Sequence, residues 1–187
     1  IYFHSTNDLY VNLFIPSEVD WDGTKVVQHT AFPQSSSTVL TIEGKQKNFA
    51  LRLRYPSWAT KMKVKVNGKN IKATKGKDGY VAISRLWNDG DRVEVSFGME
   101  LREVPTKDDA SKVALVYGPV VMARRLADVP NPFSDPTKYN DYYTFNFNIP
   151  ASIADKAKYP GLKHINMQNL IPFYDAHHCR YVVYWQK

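Results

Sequence analysis

The feature that most limits the fold of this chain is hydrophobic alternation with a period of two, interrupted again and again by turn signals. In Lys61-Met-Lys-Val-Lys-Val66 the lysines take one face and Met62, Val64 and Val66 the other, as successive side chains do along a strand. The run stops at Asn67-Gly68, a dipeptide that accepts the positive φ angles of a tight hairpin. Leu9, Val11, Leu13 and Ile15 alternate with Tyr10, Asn12 and Phe14, which predicts a strand with one buried face. Residues 25–32, 38–42 and 49–54 predict further strands, as do 79–84 and 92–97 on either side of the turn Asn88-Asp-Gly-Asp91. Short strands and turns at this spacing point to an all-β chain of two antiparallel β-sandwich domains, jelly-roll-like, with little helix.

The polar stretch Pro105–Lys112 marks a border, giving domains over 1–104 and 105–187. In the second, 113–117 and 120–124 predict strands around Gly118-Pro119, and Arg180–Trp185 the closing strand. Val129–Pro136 is proline-rich and predicts a loop. Tyr142–Ile149 alternates aromatic and polar residues and predicts a half-buried strand, and 151–158 a short helix.

Four phrases and their spacing carry more than fold class. They are Leu9-Tyr-Val-Asn-Leu-Phe-Ile-Pro-Ser17, Leu51-Arg-Leu-Arg-Tyr-Pro-Ser-Trp-Ala59, Tyr117-Gly-Pro-Val-Val-Met-Ala123, and Leu170-Ile-Pro-Phe-Tyr174 followed by Arg180-Tyr-Val-Val-Tyr-Trp185. With Gln28-His-Thr-Ala-Phe-Pro33, Gly79-Tyr-Val-Ala-Ile83, Trp87-Asn-Asp-Gly-Asp91 and Met99-Glu-Leu-Arg102, the chain resembles the β-rich C-terminal region of glycoside hydrolase family 127, the β-L-arabinofuranosidases. The first part resembles that family's middle β-sandwich and the last its C-terminal β-sandwich. The resemblance implies an upstream (α/α)6 barrel in the same polypeptide. That barrel would carry the hydrolysis, with a cysteine nucleophile, a glutamate acid/base and a zinc ion. None of those motifs occurs here, so no catalytic residue, metal ligand or cofactor is carried over to this chain. The expectation is a non-catalytic accessory region that packs against the barrel. The alternative is an autonomous carbohydrate-binding module taking a plant-type oligosaccharide or polysaccharide.

The residues agree with that expectation. A typical glycosidase needs two carboxyl groups flanking one sugar bond. Here Asp20 and Asp22, Asp89 and Asp91, and Asp108 and Asp109 fall in turns, where aspartate caps backbone amides. Cys179 has His177 and His178 beside it, but a zinc site needs several converging ligands and no second ligand pair occurs in the sequence. Trp21, Trp58, Trp87 and Trp185 are the candidates for stacking a sugar or for docking, set against the ordinary burial of large aromatics. Two aromatic sets, Phe3 with Tyr10 and Phe14, and Tyr142 to Phe147, are candidate docking faces.

Charge narrows the partners. Of 187 residues, 25 are Lys or Arg and 18 Asp or Glu, a net charge of +7. Lysines 61, 63, 65, 69, 72, 75 and 77 hold most of the excess in the first half. Their plain reading is a solvated face that discourages edge-to-edge pairing; the functional alternative is attraction to a polyanion such as an acidic polysaccharide. No nucleic-acid motif accompanies them, and no apolar run is long enough to span a membrane. The chain has no initiator Met or signal-peptide pattern, so it reads as starting within a longer protein. One cysteine leaves the compartment open between cytoplasm, periplasm and secretion.

Overall fold

The computed structural model describes residues 1–128, 170–177 and 179–186. The chain divides into two compact units, Ile1–Met99 and Glu100–Lys187. The described residues are all-β, apart from a 3-10 turn at Phe173–Asp175. The expected helix over 151–158 and strand over 142–149 lie outside the described residues, as does the loop 129–136.

The first unit is a sandwich of a four-stranded and a six-stranded sheet. The four-stranded sheet has the order β1 (Tyr2–His4), β2 (Asp8–Val11), β6 (Lys47–Arg54), β9 (Tyr80–Trp87). The six-stranded sheet has the order β3 (Ser17–Trp21), β4 (Thr24–Thr30), β5 (Ser37–Gly44), β10 (Arg92–Phe97), β7 (Met62–Val66), β8 (Lys69–Ile71). The chain passes repeatedly from one sheet to the other, so each sheet is assembled from distant segments. β2 and β6 run parallel, with Tyr10 facing Arg52; every other pair in the unit is antiparallel. β3, β4 and β5 all belong to the other sheet and intervene between β2 and β6, so the chain can re-enter in the same direction.

Alternation places the core. On β7 the pattern is buried-exposed throughout, with Met62, Val64 and Val66 inside and both lysines out. Leu9, Val11, Leu51, Leu53 and Val81 of one sheet meet Val26, Leu40, Ile42, Val93 and Val95 of the other in one cluster. Each such side chain contributes about 1.5–3 kcal/mol by leaving water. The hairpin turn is as the sequence predicts: Asn67 has φ 49° and Gly68 φ 77°.

The expected strand through Ile15 ends early. β2 stops at Val11, Leu13 and Ile15 are exposed, and Phe14 is buried. The alternation breaks where the chain leaves one sheet for the other, which turns Phe14 inward against Phe97 (centroids 4.8 Å apart).

Gln28 is buried in this unit along with the polar residues Thr24, Thr38 and Asp91. It is 2% exposed and neither its amide oxygen nor its nitrogen has a hydrogen-bond partner. An unmet buried polar group costs about 1–3 kcal/mol. Gln28→Met, close in volume, is therefore expected to raise the stability of the unit by about 1 kcal/mol in chemical denaturation. A fall instead would mean that the amide is satisfied by bound water.

The second unit is built from β11 (Leu101–Pro105), β12 (Lys112–Tyr117), β13 (Val120–Asp128), β14 (Leu170–Pro172), β15 (Cys179–Val182) and β16 (Tyr184–Gln186). β12 pairs with β11, β13 and β16, and β13 also pairs with β14 and β15. Its buried cluster is Val113, Leu115, Val182 and Trp185.

Candidate functional site

β2 sends Leu9 and Val11 to the core, so Asp8, Tyr10 and Asn12 face outward from the four-stranded sheet. Register brings distant residues beside them. Phe3 is opposite Tyr10, Tyr10 opposite Arg52, and Arg54 opposite Tyr80. Arg52 is central. Its Nε is 3.2 Å from Asp8 Oδ1 and its Nη1 2.9 Å from Asp78 Oδ2, while its guanidinium lies 5.4 Å from the Tyr10 ring centroid. Tyr10 and Tyr80 meet edge to face at 5.2 Å, and the Tyr80 hydroxyl donates to Asn12 Oδ1. Phe3, 66% exposed, borders this group.

Both carboxylates on this face are bound to one guanidinium. Such a pairing fixes the direction of both side chains, which suits orientation. The face can offer flat aromatic surface with fixed polar groups around it. That suits packing against another surface, or stacking.

The four tryptophans divide clearly. Trp87 is 0% exposed, and its Nε1 donates to the Phe49 carbonyl at 3.1 Å. Trp185 is also 0% exposed, in the core of the second unit. Both are core residues of the described structure. Trp21 is buried against Phe49, with the Lys47 ammonium 3.6 Å from its centroid, so its accessible face is already taken. Trp58 is half-buried, stacked on Phe32 at 5.7 Å with 18° between planes. It keeps open ring surface. Of the first aromatic docking set, Phe3 and Tyr10 lie on the outer face and Phe14 does not, because it fills the core. The Tyr142 to Phe147 set lies outside the described residues.

The second unit has a cavity of about 400 Å³ lined by Thr106, Asp108, Lys112, Tyr184, Trp185 and Gln186. The Thr106 hydroxyl and the Asp108 backbone N–H hold the Asp108 carboxyl below its ordinary value, outweighing the opposing effects of desolvation and Asp109. Asp108 is the carboxylate among these described lining residues, so they do not supply the pair a glycosidase uses. Cys179 is half-buried on β15 and His177 is exposed; His178 lies outside the described residues. Among the described residues no three His, Cys, Asp or Glu side chains are placed to hold a metal ion. The donors here do not fit the zinc that the sequence resemblance implies for the barrel.

Comparison with known proteins decides the family. Residues 8–99 match the family model for the beta-L-arabinofuranosidase, GH127 middle domain. These residues are a GH127 middle domain. Solved relatives extend the likeness beyond that segment. A GH127 beta-L-arabinofuranosidase from Geobacillus stearothermophilus T6 shares 30% identity over 70% of this chain, with a TM-score of 0.61. A GH127 beta-arabinofuranosidase shares 28% identity over 66% of the chain, TM-score 0.57. A third structure, described as a glycoside hydrolase, shares 25% identity over 70%, TM-score 0.60. The chain spans 22–23% of the length of these relatives. No curated protein sequence matches it. The GH127 middle domain contains the whole first sandwich except β1, together with the outer face around Arg52.

The sequence missed Arg52, Tyr80, Asp8 and Asp78. Their outward direction was readable from alternation. That Tyr10 would face Arg52 was not, because it depends on the parallel pairing of two strands that lie far apart in the chain.

Proposed function

We propose that this chain is the accessory β region of a glycoside hydrolase acting on β-L-arabinofuranosides, and that it breaks no glycosidic bond itself. The observation that carries the reading is the GH127 middle domain at residues 8–99, within a chain that covers 22–23% of its solved relatives. The outer face with Phe3, Tyr10, Arg52 and Tyr80 is the docking surface for the catalytic part of the same polypeptide, an (α/α)6 barrel that would hold the zinc. Fixed ion pairs on this face set orientation, and apolar contact supplies affinity.

Two measurements test this. Incubated with arabinofuranoside substrates, the isolated chain is expected to give no turnover; activity that follows the purified chain would overturn the non-catalytic assignment. Phe3→Ser is expected to change the stability of the isolated chain by less than about 0.5 kcal/mol, because the ring is already in water. In the polypeptide joined to its catalytic part it should cost about 1.5–3 kcal/mol, the value of an exposed Phe that becomes buried. Equal effects in both contexts would remove Phe3 from the interface.

A second reading has one observation in its favour. Tyr10, Tyr80 and the exposed Phe3 share one sheet face, an arrangement that can stack sugars in a carbohydrate-binding module. Titration with neutral arabinan separates the two: saturable binding abolished by Tyr10→Ala supports the module, and no binding supports docking.

A further inference from the structure

The lysine run takes on a different meaning once it is placed in the sheet. Lys63 and Lys65 point outward from β7, Lys69 lies on the rim strand β8, and Lys72, Lys75 and Lys77 follow on the segment leading to β9. Lys61 precedes β7. All seven are exposed, and residues 61–77 contain no Asp or Glu. The unit Ile1–Met99 holds fourteen Lys and Arg against nine Asp and Glu; outside residues 61–77 there are seven against nine. The run therefore contains more than the whole positive excess of its unit.

The opposite rim of the same sheet is acidic. β3 carries Glu18 and Asp20, and Asp22 follows in its turn. Acids on that rim and on β10 are paired, Glu18 with Lys25 at 2.7 Å, Asp22 with Lys47 at 3.1 Å and Glu94 with Arg92 at 3.6 Å. Protecting an edge needs one or two lysines. Seven like charges on β7, β8 and the segments flanking them produce a field that concentrates anions there.

We infer that this basic rim of the GH127 middle domain binds acidic polysaccharide, a glycan bearing uronate carboxylates. The inference goes beyond the accessory role and uses only the glycoside-hydrolase family membership. The composition of the strip selects the ligand. Residues 61–77 contain no Phe, Tyr, Trp or Arg, so they lack the stacking platforms that hold single-stranded nucleic acid and the planar forks that grip phosphate. Their apolar residues Met62, Val64 and Val66 are in the core and Ile71 and Ala73 pack against it, so no fully exposed apolar side chain is left to insert into a lipid surface. What remains is a row of hydrated point charges. On β7 those of Lys63 and Lys65 are two residues apart, about 6.8 Å along the strand. Such a row suits a flexible polymer with regularly repeated carboxylates.

The test uses the 187-residue chain and polygalacturonate as the probe, with neutral arabinan, duplex DNA and phosphatidylserine vesicles in parallel. The variant Lys63→Gln/Lys65→Gln/Lys69→Gln/Lys72→Gln is compared with a control of equal charge change, Lys45→Gln/Arg54→Gln/Arg92→Gln/Lys107→Gln. The chain is expected to bind polygalacturonate at low ionic strength and to release it as salt screens the rim. The rim variant should bind about tenfold more weakly or worse, and the control within about threefold of the parent chain. Three results would each overturn the inference: no binding at low salt, equal weakening in both variants, or DNA or vesicles bound as tightly as polygalacturonate.

Discussion

Replacing Trp87 with alanine is expected to destabilise the first unit by on the order of 3–5 kcal/mol, the range for deleting a large aromatic from a packed core. Trp87 is wholly buried at the end of β9 and packs on Phe49 at 5.8 Å. Its indole nitrogen satisfies the Phe49 carbonyl on β6, so the truncation leaves both a cavity and a buried acceptor without its donor. In a unit of this size each kcal/mol shifts the melting temperature by about 4–8 °C. Trp58→Ala, at a half-buried site, should cost about 1–2 kcal/mol. Urea denaturation followed by circular dichroism reads both. If Trp87→Ala cost less than Trp58→Ala, the division into core and open tryptophans would be wrong.

The second large effect is expected at Asp91. This carboxylate is 8% exposed and joins two turns. Oδ1 accepts from the Asn67 side-chain amide at 2.7 Å, and Oδ2 accepts from the Asn88 backbone N–H at 2.9 Å. Asn67 Oδ1 in turn accepts from the Arg92 backbone N–H at 2.8 Å. Burial alone would raise the Asp91 pKa, but the Asn67 amide, the Asn88 N–H and Arg85 outweigh it and hold the carboxyl below its ordinary value. Asp91→Ala leaves these donors unmet and should cost about 2–4 kcal/mol. The pH dependence has a definite sign. A folded pKa below the unfolded value of about 3.9 means that the ionised group stabilises the fold above that pH. This contribution is lost as pH falls through the lower, folded pKa. The parent chain should therefore weaken below about pH 4, and Asp91→Asn should lose that component of the slope. A slope unchanged in Asp91→Asn would assign the acid sensitivity elsewhere.

Much of the first sandwich was readable from sequence because its signals are local. Alternation in Met62–Val66 fixes which side chains are buried, and Asn67-Gly68 fixes the turn. The all-β class and the GH127 resemblance followed from such segments. What could not be read was long-range. The parallel β2–β6 pair, and with it the Tyr10–Arg52 contact, requires knowing how the chain crosses between sheets. Phe14 was misplaced for the same reason: its neighbours alternate, but the chain leaves the sheet before the pattern ends. The tryptophans show a different limit. Trp58 and Trp87 both flank turns in the sequence, yet one keeps open surface and the other is sealed, because burial is decided by the opposing sheet.

The first strand has a practical consequence. β1 precedes the family match at residue 8, but it covers the outer rim of β2, with Tyr2 facing Val11 and His4 facing Leu9. A protein trimmed to start at the match would uncover a row of main-chain donors and acceptors beside an apolar strand, which invites neighbouring molecules to add on as further strands. Solubility after excision is thus expected to depend on seven residues that the family definition leaves out.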